Sequence, residues 1–207
     1  MIEHTLLKSS ANEVTLTKLC DEAVENGFFG VCVNPLYVKF CHDYLVGKNV
    51  KVVTVIGFPL GENKTETKVY EAKSAISDGA DEIDMVITVS KLKSQDYDYV
   101  YKDIKAVKDA IGYINLKVIL ETATLTDDEI IKASEIAMKA GADFIKTSTG
   151  FVGGGASVNA VRLMKQTVGD KLGIKASGGI RDKAFAIELV NAGATRLGTS
   201  SGVEICK

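Results

Sequence analysis

The chain has 207 residues, 46% hydrophobic and 25% charged, which is enough apolar material for one globular domain, 1–207, with a sizeable core. A formal net charge of −2 gives no bulk attraction to nucleic acid or anionic membrane, and no apolar run approaches the roughly 20 residues of a membrane span, so neither partner is expected. The four cysteines (Cys20, Cys32, Cys41, Cys206) form no C-x-x-C pair, no signal pattern opens the chain, and His4 and His42 lack metal-ligand spacing, which reads as a cytoplasmic protein with reduced thiols and no metal.

Along the chain, short apolar runs alternate with longer amphipathic ones. Strands are predicted over Ile2–Leu6, Gly30–Val33, Lys51–Ile56, Glu82–Ile87, Lys117–Glu121, Phe144–Ser148, Ile174–Ser177 and Thr195–Thr199. Helices are predicted between them, over Leu16–Glu25, Pro35–Val46, Thr65–Ser77, Tyr97–Ala110, Asp127–Lys139, Asn159–Val168 and Lys183–Asn191, with an eighth starting near Ser201. The boundaries carry a repeated chemistry. Gly79-Ala-Asp, Gly141-Ala-Asp and Gly193-Ala-Thr each follow a helical stretch and directly precede a strand, and glycine can take the left-handed conformation that closes a helix. Thr126-Asp-Asp-Glu129 fits a capping box, and Asn34-Pro35 supplies a cap and a first-turn proline.

Strands alternating with helical crossovers call for a parallel sheet. Eight such units imply an α/β fold, a single (β/α)8 TIM barrel, near the short end of that architecture's range of roughly 200 residues upward. An open doubly wound sheet is the rival. It is disfavoured because no Gly-x-Gly-x-x-Gly follows the first strand.

Two lysines sit in matching places 29 residues apart: Lys146 in Asp143-Phe-Ile-Lys-Thr-Ser-Thr-Gly150 and Lys175 in Gly173-Ile-Lys-Ala-Ser-Gly-Gly-Ile180. Lysine is depleted from strand interiors and almost never fully buried without a partner. Strand alternation puts Asp84 on one face with residues 82 and 86, and if all three faces point inward, Asp84, Lys146 and Lys175 converge near the barrel axis. The C-terminal strand ends are where such barrels keep their chemistry. An amine attacks a carbonyl only when neutral, and desolvation or a neighbouring ammonium favours that form. The expected division of labour makes Lys146 the nucleophile, keeps Lys175 charged, pairs Asp84 with Lys175, and moves protons through water. The plainer alternative has each lysine snorkelling from a strand end with Asp84 neutralising one of them; a buried charged cluster is expensive enough to argue against it.

The C-terminal third is built to hold an oxyanion. Ser177-Gly-Gly-Ile180 follows the seventh strand and Gly198-Thr-Ser-Ser-Gly202 the eighth, where phosphate sites are frequent in this architecture. Phe151-Val-Gly-Gly-Gly155 is a third glycine-rich loop, able to cover a ligand, and Arg181 adds charge or solvates the next helix.

Six segments, in order, resemble the motifs of the deoxyribose-phosphate aldolase family: Ile2-Glu-His-Thr-Leu-Leu-Lys8, Gly30-Val-Cys-Val-Asn-Pro35, Ala80-Asp-Glu-Ile-Asp-Met-Val86, Phe144-Ile-Lys-Thr-Ser-Thr-Gly-Phe151, Lys175-Ala-Ser-Gly-Gly-Ile-Arg181 and Arg196-Leu-Gly-Thr-Ser-Ser-Gly202. The resemblance implies a class I aldolase that cleaves 2-deoxy-D-ribose 5-phosphate to acetaldehyde and D-glyceraldehyde 3-phosphate, in cytoplasmic deoxynucleoside breakdown, with no metal or organic cofactor. It implies further that Lys146 forms the Schiff base and that Lys175 and Asp84 relay protons. Gly178, Gly179, Gly198, Ser200 and Ser201 would then surround the phosphate, and Thr149 would lie near the sugar. Two departures stand out. Glu3 replaces the usual aspartate of the first motif and is kept off the catalytic set. Some members also end in a tail bearing a tyrosine that assists proton exchange, whereas this sequence stops at Lys207 without one, a departure that bears on the rate of enamine protonation and not on the reaction type. Cys32 reads as a small buried hydrophobe near the pocket. A transaldolase-like enzyme and a non-catalytic barrel that binds a phosphorylated metabolite are the competing readings. A homo-oligomer, dimer or tetramer, is compatible with the sequence but not read from it.

Overall fold

The computed structural model describes Met1–Lys207. Eight parallel strands close into a barrel in chain order, each paired with the next and the last with the first. They are β1 (Ile2–Leu6), β2 (Gly30–Val33), β3 (Lys51–Ile56), β4 (Glu82–Val86), β5 (Asn115–Ile119), β6 (Phe144–Lys146), β7 (Gly173–Ser177) and β8 (Arg196–Thr199). The helices are α1 (Glu13–Glu25), α2 (Val38–Tyr44), α3 (Thr65–Ser77), α4 (Val89–Lys93), α5 (Tyr97–Ile111), α6 (Asp127–Lys139), α7 (Val158–Val168), α8 (Lys183–Asn191) and α9 (Gly202–Cys206). The (β/α)8 barrel expected from the alternation of strands and helices is therefore the fold.

Most of the core lies outside the barrel. Forty-seven buried apolar residues form one continuous layer between the outward strand faces and the helices. A second, small cluster of Leu7, Cys32, Val53 and Val55, with Phe58 against it, occupies part of the interior. Cys32 is thus the small buried hydrophobe expected of it. The inner faces of β1, β4, β5, β6, β7 and β8 also carry charged side chains.

Local chemistry explains most boundaries. Gly79, Gly141 and Gly193 have φ of 101°, 88° and 122°, so the three Gly-Ala links do turn through a region that side chains avoid. The Thr126–Glu129 capping box forms, and a second one, Asn12 with Thr15, starts α1 three residues before the predicted Leu16. Other boundaries moved. The predicted helix Pro35–Val46 splits into a 3-10 turn, Pro35–Tyr37, and α2. Asn34 does not cap it with its side chain, because its amide instead donates to Leu7 O at 3.2 Å. The predicted strand Phe144–Ser148 ends at Lys146, where the Thr147 hydroxyl takes over ladder bonding by accepting from Ser177 N and donating to Ser177 O. The strand predicted over Lys117–Glu121 starts at Asn115 and stops at Ile119, and α4 was not anticipated.

One buried ion pair ties the helical layer to the active end of the barrel. Lys68 of α3 donates to Asp103 of α5 (2.6 Å), to Thr88 Oγ1 (2.9 Å) and to Val86 O (3.1 Å), and all of these groups are buried. Removing the ammonium alone would strand a carboxylate in the core. Lys68→Met is expected to cost about 3–5 kcal/mol, read as a fall of roughly 10 °C in thermal midpoint. The double variant Lys68→Met/Asp103→Leu should recover part of that loss, and a single variant with unchanged midpoint would show that the pair contributes nothing.

Candidate active site

The strand register puts the charged residues side by side. Asp84 pairs with Lys117 across β4 and β5, Lys146 with Lys175 across β6 and β7, and Lys175 with Arg196 across β7 and β8. Neighbouring strands lie about 4.8 Å apart, so in-register side chains on the inner face must interact. Lys146 Nζ and Lys175 Nζ both donate to Asp84 Oδ2, at 2.9 and 2.6 Å, and Lys117 Nζ donates to Asp84 Oδ1 at 3.0 Å. Lys175 also donates to Glu3. Towards the N-terminal ends of the strands, Lys117 meets Glu82 at 2.5 Å, and Arg196 Nη1 meets Glu3 at 2.7 Å and Glu82 at 3.2 Å. The Arg196 guanidinium lies on the Phe29 ring, 3.4 Å from its centroid.

Asp84, Lys146 and Lys175 therefore converge inside the barrel as the alternation argument required. The expected pairing of Asp84 with Lys175 is present, and the same carboxylate also serves Lys117 and Lys146. Four members of the network were outside the candidate set: Lys117, Glu3, Glu82 and Arg196. Lys117 was predicted at the very start of a strand, where alternation is least informative. Glu82 shares its face with Asp84, a signal that was present and unused.

Burial alone would raise the carboxyl of Asp84, but the ammonium groups of Lys117, Lys146 and Lys175 outweigh it and hold it well below the usual carboxylate range. Glu3 is likewise lowered, burial being overcome by Lys117 and Lys175. For Lys175 and Lys117, burial favours the neutral amine, yet Asp84 and Glu3 reverse this and push both above the ordinary lysine range. Glu3, Cys32 and Asp84 bring donor atoms within 4.8 Å of one another. Lys175 already occupies both carboxylates, and burial pushes the Cys32 thiol up, away from the thiolate a metal would need. An ammonium fills the position a cation would take.

Above the network opens a cavity of about 390 Å³. Of the three lysines that bond Asp84, only Lys146 reaches its wall. Thr149, Gly178, Gly179, Gly198 and Ser200 line it too, together with Lys8 and Arg181, two exposed cations that give the far end positive charge. Ser201 stands apart from the lining, and its amide donates to Thr199 Oγ1 at 2.9 Å. Gly198 has a second duty. A Cβ there would lie 2.8 Å from Lys175 Cε and 3.1 Å from Ser177 Cβ, so the lysine's stem uses the space. Glu121, beside Thr149, is also buried; burial pushes its carboxyl up, against the Thr149 hydrogen bonds and the charge of Lys146.

The chain matches the model of the DeoC/LacD family aldolases over residues 2–207. A deoxyribose-phosphate aldolase of Enterococcus faecalis is 55% identical over 206 residues, covering 99% of this chain and 94% of that protein. One from Thermococcus kodakarensis is 55% identical over 208 residues, covering 99% and 93%. The solved deoxyribose phosphate aldolase of Aeropyrum pernix, described as tetrameric, superposes with a TM-score of 0.90 at 33% identity, covering 99% of this chain and 87% of that one.

The signs of these shifts define a pH window. Asp84 and Glu3 are depressed on folding, so their stabilisation is present above the unfolded carboxyl values of about 4 and is lost as pH falls through the lower folded ones. Lys117 and Lys175 are raised, so theirs is present below the unfolded value of about 10.4 and is lost as pH rises through the higher folded ones. Urea midpoints measured from pH 2 to 12 should show the network's contribution whole between about pH 5 and 10. Lys117→Met should lower the midpoint most within that plateau; an equal loss at every pH would contradict the electrostatic account.

Proposed function

The chain belongs to the DeoC/LacD aldolase family, and we propose that it cleaves 2-deoxy-D-ribose 5-phosphate through a Schiff base on Lys146, releasing acetaldehyde and D-glyceraldehyde 3-phosphate. One observation carries the assignment of the nucleophile: Lys146 alone among the buried lysines borders the cavity, while its nitrogen remains hydrogen-bonded to Asp84. The charge count agrees. Lys117, Lys146, Lys175 and Arg196 face Glu3, Glu82 and Asp84, so loss of one proton from the group at the open end leaves the network neutral in sum.

The free amine of Lys146 attacks C1 of the open-chain sugar, and loss of water gives an iminium. A base then takes the C3 hydroxyl proton, and the C2–C3 bond breaks. It is C2–C3 and not C3–C4, because only an electron pair left on C2 conjugates with the iminium carbon. D-Glyceraldehyde 3-phosphate departs and an enamine remains. Protonation at C2 and addition of water to the resulting iminium release acetaldehyde and restore the amine. Asp84 Oδ2, shared by Lys146 and Lys175, supports a relay in which Lys175 and Asp84 pass protons through water to and from the reacting atoms.

The phosphate fits the far end of the cavity, where Gly178, Gly179, Gly198 and Ser200 offer close backbone approach and a hydroxyl, and Lys8 and Arg181 supply charge. Ser201 supports this end through its turn with Thr199 instead of lining it. Thr149 borders the cavity on the side of Lys146. Residues 1–207 act as one domain in this reading, without metal or organic cofactor. No helix is long and apolar enough to cross a membrane. A cytoplasmic setting accords with four free cysteines, and a homo-oligomer accords with the Aeropyrum pernix tetramer.

Borohydride reduction in the presence of substrate, followed by peptide mass spectrometry, is expected to leave an ethyl adduct on Lys146; an unmodified Lys146 refutes the assignment. Gly198→Ala pushes a methyl against Lys175 and should lower kcat about 10–100-fold, since misplacing a catalytic group by 1 Å can cost that much. A folded Gly198→Ala enzyme with normal kcat would remove Lys175 from the relay.

A further inference from the structure

Glu121 is a buried carboxylate that the proton relay leaves unused, and its backbone is held in an unfavourable conformation. With φ 59° and ψ 55° it is one of two residues other than glycine with positive φ. For a side chain with a Cβ this conformation is strained, and such strain clusters at functional sites. The strain has a local cause. Just past the ends of β5 and β6, Leu120 N donates to Lys146 O and Thr122 N to Thr147 O, both at 2.9 Å, so two residues advance on one segment against one on its neighbour. The extra residue acts as a bulge does, re-aiming a side chain. Here it directs the Glu121 carboxylate onto Thr149.

Glu121 accepts from Thr149 N at 3.3 Å through each of its oxygens, and from the Thr149 hydroxyl. The same hydroxyl accepts from Phe151 N at 3.1 Å, so the glycine-rich loop after β6 is tied to it as well. A hydroxyl has one proton and two lone pairs, and an ionised carboxylate can only accept. Thr149 Oγ1 therefore gives its proton to Glu121, receives the Phe151 amide on one lone pair, and keeps one lone pair for the cavity that it borders with Lys146. A group with no proton left to offer recognises a donor.

We propose that Glu121 is a positioning residue that consumes the hydroxyl proton of Thr149, so that Thr149 presents an acceptor to the cavity and selects a three-carbon acceptor aldehyde bearing a hydroxyl beside the reacting carbonyl. This rests on the aldolase reading above. A site built to hydrogen-bond a ligand hydroxyl rejects the analogue lacking it, because the buried polar group is left unpaired.

The test runs in the direction of synthesis, with acetaldehyde as donor and either D-glyceraldehyde 3-phosphate or 3-oxopropyl phosphate, its analogue without the hydroxyl, as acceptor. The readout is the ratio of the two kcat/KM values. In Glu121→Gln the amide can turn an N–H toward Thr149 and free the hydroxyl proton, so the preference for the hydroxylated acceptor should fall about tenfold or more. Thr149→Val should lose the same preference and Thr149→Ser should keep it. Trapping of acetaldehyde on Lys146 by borohydride needs no ligand hydroxyl and should persist in Glu121→Gln. If the wild-type enzyme traps nothing, the aldolase reading fails. If it traps normally and Glu121→Gln keeps the wild-type ratio, or loses the trapped adduct, the role given to Glu121 is overturned. A Thr149→Val enzyme with the wild-type ratio overturns it too, whether or not Glu121→Gln folds.

Discussion

Seven charged side chains share the inside of a closed eight-stranded barrel, and the rest of the molecule is arranged so that they can. Taking an ion out of water costs several kcal/mol even after relaxation, and only close, well-directed partners offset it. Parallel pairing supplies those partners. In-register positions on neighbouring strands face one another, so Asp84 meets Lys117, Lys146 meets Lys175, and Lys175 meets Arg196. The apolar layer outside the barrel, 47 residues against the helices, provides the burial that holds such an interior closed.

The network has direction. At its lower end Arg196, resting on the Phe29 and Phe144 rings, meets Glu82, and neither borders the cavity. At its upper end Lys146 meets the cavity, within hydrogen-bonding distance of the same carboxylate oxygen that holds Lys175. Between the two ends, the pairing favours the charged forms of Asp84, Glu3, Lys117 and Lys175. Buried ionic clusters are a poor way to gain stability, and they gather where chemistry is done. Beside this network the strained backbone at Glu121 sets a further carboxylate against the Thr149 hydroxyl.

Much of this was legible in the sequence. The strands Ile2–Leu6, Gly30–Val33 and Lys51–Ile56 and the helices Thr65–Ser77, Asp127–Lys139 and Lys183–Asn191 have the bounds that their apolar periods and caps indicate. Lys146, Lys175 and Asp84 declared themselves because a charged residue inside an apolar strand is anomalous on composition alone. Glycines after β7 and β8 marked residues that line the cavity beside Lys8 and Arg181. Ser201 was grouped with them by adjacency, yet the turn made by Thr199 gives its amide another partner. Thr147 ended β6 early for a related reason, a hydroxyl that replaced backbone ladder bonds.

The sequence by itself determined what depends on neighbours within a few residues: strand and helix periods, caps, the Gly-Ala links, and the two lysines with the aspartate that matches them. Only the tertiary structure decided the membership and direction of the charge network. Glu3 and Arg196 are 193 residues apart and Glu3 and Lys175 are 172 apart, and nothing local in either segment names the other. It also decided which lysine borders the cavity, that Gly198 makes room for Lys175, and that Glu121 meets Thr149. Each of these follows from closing the barrel, which sets the register of every strand against its neighbour and leaves the inner side chains no other partners.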